Sequence, residues 1–143
     1  MEANQSEQNY RIRLLICCGY TLFREGIIAI LRRQPSVEIV GEAWYGVQAI
    51  HQVERLRPEI VLMDNSLPDI SGFEATRRIK QIDKNIRILI LTTHDTEIVE
   101  RCLKFGASGY VYKDGPASQL LHAIEVVHEG GMYLDPGAYR EVG

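Results

Sequence analysis

An alternation constrains this chain more than any other feature. Short runs rich in Ile, Leu and Val take turns with segments whose apolar residues recur at helical spacing. Residues 11–18 (RIRLLICC) form a continuous apolar run, the pattern of a strand covered on both faces. Phe23, Ile27, Ile30 and Leu31 then fall at i, i+4, i+7 and i+8, one stripe of a helix that Thr21 can cap and that ends before Pro35. Val37–Ala43 reads as a second strand, and Val47, Ile50, Val53 and Leu56 as a helical stripe stopped ahead of Pro58. Residues 59–64 (EIVLMD) are a third strand ending on an acid. Beyond a polar loop, Ser71 and Glu74 stand in capping-box register for a helix carrying Phe73, Thr76 and Ile79. Residues 86–92 are the fourth strand, and Asp95 or Thr96 opens a helix through Ile98, Cys102 and Leu103 that closes near Gly106. Gly109–Tyr112 is a short fifth strand. Pro116 suits the first turn of a last helix with Leu120, Leu121, Ile124 and Val127, ended by Gly130 and Gly131.

Strand–helix units joined by short loops imply an α/β fold, a parallel sheet with helices on both faces. Right-handed crossovers leave few topologies, and five strands favour the flavodoxin-like, doubly wound order 2-1-3-4-5. At 143 residues the chain suits one domain, expected over 11–130, with a disordered N-terminal segment over 1–10 and an aperiodic tail from 131 to 143. Lys and Arg total 16 against 19 Asp and Glu, a net charge of −3, which disfavours nucleic-acid binding by this chain itself. No apolar run approaches the ~18 residues a membrane helix needs. The first nine residues are polar and carry no secretory pattern. With three cysteines, an odd number, a reduced cytoplasmic setting is expected. Cys17 and Cys18 are neighbours on a strand and point to opposite faces, so they read as small buried thiols rather than a metal pair.

Ligands of open α/β sheets bind at the carboxyl ends of the strands, near the reversal of strand order. The residues there are Cys18 and Gly19 after strand one, Asp64 after strand three, Thr92 after strand four and Lys113 after strand five. A carboxylate flanked by a hydroxyl and an ammonium is suited to accept a phosphoryl group, Asp as nucleophile and the other two as holders of the phosphoryl oxygens. Neither GxxxxGK[ST] nor GxGxxG occurs, which argues against a nucleotide enzyme.

Five segments carry a family resemblance: LFREG (22–26), VGEA (40–43), RPEIVLMDNSLPDISG (57–72), ILTTHD (90–95) and GASGYVYKD (106–114). Through them the chain resembles the CheY-like receiver domain of bacterial two-component response regulators, in the NarL/FixJ (LuxR-type) group that precedes a helix-turn-helix domain. The resemblance makes Asp64 the phosphoacceptor, Thr92 the switch hydroxyl, Tyr110 the rotameric aromatic and Lys113 the conserved lysine of the family, with Pro68 and Gly72 in the loop after the acceptor. It implies a non-enzymatic signalling module, a cognate histidine kinase, and a homodimer through the fourth and fifth or the first and fifth helices. The tail GGMYLDPGAYREVG resembles the linker before the helix-turn-helix domain. DNA binding is therefore expected of a domain absent from this chain.

One departure shapes the remaining expectations. Receivers usually carry two adjacent acids after strand one that bind Mg²⁺ with the acceptor, and those positions fall here on Cys18 and Gly19. The usual site is net negative, whereas here Asp64 and Lys113 cancel. The leading expectation is thus an atypical receiver with weak or no Mg²⁺-dependent phosphorylation and no metal cofactor. If a metal binds, Asp64 and the Ser66 backbone are the ligands left. The alternative is a working phospho-receiver, phosphorylated at Asp64 by a histidine kinase, with Mg²⁺ as its cofactor. More remote are an aspartyl-nucleophile phosphatase, which would want a second acid where Ser66 stands, and flavin or nucleotide binding on the same fold. Tyr20, Trp44 and Tyr45 belong to the same edge, either as packed loop aromatics or as a partner or ligand surface. His94 and His122 read as surface residues.

Overall fold

The computed structural model describes residues 10–139 of the chain. Six strands, β1 (Ile12–Cys17), β2 (Val37–Ala43), β3 (Ile60–Asp64), β4 (Arg87–Thr92), β5 (Gly109–Tyr112) and β6 (Tyr133–Leu134), form one sheet of order β2-β1-β3-β4-β5-β6, with every pair parallel. The helices between them are α1 (Thr21–Arg32), α2 (Gly46–Leu56), α3 (Gly72–Ile82), α4 (Ile98–Phe105) and α5 (Ala117–His128). The doubly wound order 2-1-3-4-5 is observed, and a two-residue sixth strand extends it.

The continuous apolar strands are explained by a core on each face. Leu14, Ile16, Ile60, Leu62, Leu89 and Val111 point to one side, against Ile27, Ile28 and Leu31 of α1 and Leu120, Ile124 and Val127 of α5. Their neighbours Leu15, Cys17, Val61, Met63, Ile88 and Ile90 point to the other, against α2, α3 and α4. All three cysteines are buried and free. Burial pushes Cys17 well above the ordinary thiol range and Cys102 up to about 12.

Several local expectations are adjusted. Thr21 is the first residue of α1 rather than its cap; Tyr20 precedes it without a side-chain cap bond. Ser71 does cap α3, its Oγ accepting the Glu74 amide at 3.0 Å, but Glu74 turns to Arg77 instead of completing the box. Asp95 holds the approach to α4, its Oδ1 accepting the Glu97 amide at 2.9 Å. Of the segment expected to be disordered, residues 1–9 lie outside the described residues. Tyr10 is described, and its hydroxyl donates to Glu59 Oε1 at 2.6 Å.

The sixth strand depends on Gly109. Its φ is +149°, and a Cβ there would collide with the Tyr133 carbonyl, so the bare backbone is what lets β6 close on β5. Asp135, buried just beyond β6, accepts the Tyr112 amide at 2.8 Å through Oδ2 and the Gly137 amide at 2.8 Å through Oδ1. Residues 140–143 of the expected linker lie outside the described residues. Among the described residues no helix is long and apolar enough to cross a membrane.

Candidate functional site

The carboxyl edge of the sheet brings together the residues read from the strand ends. Asp64 closes β3 and is fully buried. The loop after it folds back on it because position 72 has no side chain: a Cβ there would collide with the Asp64 carbonyl, and the Gly72 amide donates to Asn65 O at 3.0 Å. Asp64 Oδ1 accepts twice, from the Ser66 amide at 2.8 Å and from Lys113 Nζ at 2.7 Å. Oδ2 accepts the Cys18 thiol, with Sγ at 3.3 Å.

Lys113 follows β5 and is held beside β4 by its own amide, which donates to Thr92 O at 2.9 Å. Its side chain is 18% exposed, and the ammonium lies 5.5 Å from the Tyr20 ring centroid and 5.7 Å from that of Phe23. Thr92 is buried, with its hydroxyl donating to Thr93 O at 3.0 Å. A cavity of about 740 Å³ lies beside Lys113, lined by Tyr20, Phe23, Ser66, Thr92, Lys113 and Asp114 among others. Tyr110 lies fully buried on β5, edge-on to Tyr112 at 5.5 Å between centroids. Tyr112 in turn stacks on His94 at 4.2 Å.

The two positions after β1 behave differently from each other. Burial pushes the Cys18 thiol up to about 11, so it is a neutral donor to Asp64. Gly19 is crowded by the Pro68 ring and the Trp44 carbonyl. The three edge aromatics are all exposed and meet different neighbours. Tyr20 lines the cavity beside Lys113, Trp44 lies under the Arg24 guanidinium at 5.2 Å, and Tyr45 lines a separate cavity with Val47, His51 and Asp69. Other acids of this edge are engaged elsewhere: Glu42 with Arg24 at 3.2 Å, Asp95 with Arg101 at 3.1 Å, and Asp69 with the Gly46 and Val47 amides that begin α2. Burial pushes the Asp69 carboxyl up, but the amides of Val47 and Gly46 outweigh it and hold it below the usual range. His94 Nε2 lies 3.0 Å from Asp114 Oδ2, and His122 sits at the surface against the Tyr133 ring.

A buried aspartate bonded to a lysine, with a threonine on the next strand, all at the carboxyl edge of a 2-1-3-4-5 sheet, is an arrangement suited to accept a phosphoryl group. The chain belongs to the response regulator receiver domain family, whose model matches residues 15–125. It is 38% identical over 134 residues to the transcriptional regulatory protein DegU of Brevibacillus brevis, covering 93% of this chain and 57% of that protein. It is 34% identical over 126 residues to the transcriptional regulatory protein LnrK of Bacillus subtilis (strain 168), covering 87% of this chain and 57% of that one. The chain thus spans somewhat more than half the length of these curated relatives. A crystal structure of a LuxR-family two-component response regulator from Aurantimonas sp. SI85-9A1 superposes with a TM-score of 0.87 at 34% identity, covering 92% of this chain and 95% of that one.

These findings correct the leading expectation. The family match, residues 15–125, runs through the whole site, and Asp64, Thr92 and Lys113 are all present at its carboxyl edge, so the chain is not set apart as atypical. The expectation that no metal cofactor is used falls with it. Charge at positions 18 and 19 was given the deciding weight, yet Mg²⁺ is held through as few as one or two carboxylates, the rest of its shell being water and phosphate oxygens. The donor set admits that ion: the Asp64 carboxylate is a hard oxygen ligand, and its neighbours Ser66 and Lys113 line a cavity.

Proposed function

We propose that this chain is a working phospho-receiver whose acceptor is Asp64. The observation that carries the proposal is the Asp64 carboxylate itself, fully buried and oriented by Lys113 and the Ser66 amide, two residues that share a cavity wall with Thr92. An Asp64 oxygen attacks the phosphorus of the donor and forms an acyl phosphate. Lys113 offsets the charge of the transferred group, and the Thr92 hydroxyl exchanges its bond to Thr93 O for a phosphoryl oxygen. Asp64 and the Ser66 main chain would hold Mg²⁺, which supplies further charge neutralisation of the phosphoryl group. The domain acts as a signal input rather than as a turnover enzyme.

The family context supplies the partners of this reading. A histidine kinase is the donor, a second copy of the chain is the dimer partner through α4–α5 or α1–α5, and DNA is contacted by a separate domain of the whole protein. The setting is cytoplasmic. The net charge of −3 supports the separation of DNA binding from this domain.

Intact-mass measurement after incubation with acetyl phosphate and Mg²⁺ tests the central point. One phosphoryl adduct is expected on the native chain and none on the Asp64→Asn variant. An unmodified native chain, or an adduct that survives the substitution, overturns the proposal.

A further inference from the structure

The two oxygens of Asp64 are not equivalent. Oδ1 is occupied by two strong donors, the Ser66 amide at 2.8 Å and the Lys113 ammonium at 2.7 Å. The donor to Oδ2 is a thiol, and a thiol hydrogen bond is weak. The same Cys18 sulfur has a second acceptor within reach, the Tyr20 carbonyl at 3.7 Å, on the loop that borders the cavity. A thiol has one hydrogen, so it serves one of these acceptors at a time.

We infer that Cys18 restrains phosphoryl transfer: Oδ2 is the oxygen that takes the phosphoryl group, and the thiol hydrogen bond that holds it must be given up first. The inference rests on the phosphoacceptor reading above. In the step itself an Oδ2 lone pair forms the new O–P bond. The bond from phosphorus to the bridging oxygen of acetyl phosphate breaks, and acetate leaves with that electron pair. No proton is transferred. The Cys18 hydrogen, which had bonded the attacking lone pair, turns to the Tyr20 carbonyl and stays on sulfur. For Oδ2 to attack, the bond that has to be given up is the weak one from the thiol.

The test combines a rate and a spectrum. In Cys18→Ala, Oδ2 has no donor to shed, so uptake from acetyl phosphate, followed by intact mass, is expected to be ~3–10-fold faster than in the native chain. The S–H infrared band missing from that variant is the Cys18 band. In the native chain it is expected to move to higher frequency on phosphorylation, and in unphosphorylated Asp64→Asn as well, where the amide oxygen takes the two donors of Oδ1 and leaves the NH₂, which accepts no hydrogen bond, facing the thiol. Equal or slower uptake by a folded Cys18→Ala overturns the inference alone, as does a band unmoved in Asp64→Asn. Absence of phosphate from both proteins overturns the phosphoacceptor reading and this inference with it.

Discussion

The two edges of the sheet each hold a carboxylate beside a basic side chain, and they use it in opposite ways. At the amino edge, Glu59 is 34% exposed and His128 27%, 3.5 Å apart, with the Tyr10 hydroxyl joining both. The hydrogen bond to Glu59 raises the Tyr10 phenol above its ordinary value. Glu59 also accepts the Arg13 amide at 3.1 Å, so this cluster clasps chain segments together. At the carboxyl edge, the Asp64–Lys113 pair is withdrawn from solvent at its acid end, and a cavity lies beside its lysine. A half-exposed pair contributes less than a buried one because water reaches both groups. A buried pair depends on its geometry, and the loss of either partner leaves the other uncompensated. The clasp is therefore tolerant of change, whereas the site is not.

Four measurements break or sharpen this contrast. The largest effect is expected from Lys113→Ala, which strands a fully buried carboxylate; urea unfolding should show a loss of roughly 3–5 kcal/mol. A loss under ~1 kcal/mol would place this pair in the same class as the clasp. Next is Gly72→Ala, which pushes a methyl into the Asp64 carbonyl and the Asn65 backbone. A destabilisation of about 1–3 kcal/mol is expected, together with slowed phosphate uptake, because the loop can no longer seat the acceptor. Native stability in that variant would mean that the loop yields without cost. At the amino edge, Glu59→Gln should cost only ~0.2–1 kcal/mol in the same assay.

The smallest effect is a pH slope. Asp69 titrates lower in the folded chain than in the unfolded one because of the amides it caps. Its contribution is complete above the unfolded value of about 3.9 and is lost as pH falls through the lower folded value. Unfolding midpoints between about pH 5 and 2 should fall less steeply in Asp69→Asn than in the native chain. Parallel slopes would remove Asp69 from the account.

Asp64, Thr92 and Lys113 were legible because each sits at the end of an apolar run, where topology converts sequence position into spatial convergence. The two cores were legible for the same reason, since neighbours such as Leu14 and Leu15 must face opposite ways. β6 was not, because two residues carry no period. Nor was Asp69 as the cap of α2, whose amides lie more than twenty residues away in the chain. The metal expectation went astray at Cys18 and Gly19, where a tally of charges stood in for coordination. The thiol at 18 has a polar role that its type does not announce, a hydrogen bond to the acceptor, and only the geometry around Oδ2 displays it.

The Asp135 carboxylate gives the tail a mechanical property. Its oxygens pin the Tyr112 amide, one residue before Lys113, to the Gly137 amide beyond β6. A pull on residues 136–139 is delivered to the strand that carries the lysine rather than being absorbed by slack chain. Strain travels the other way by the same route. Residues 133–137 are in this sense a lever hinged on one buried carboxylate.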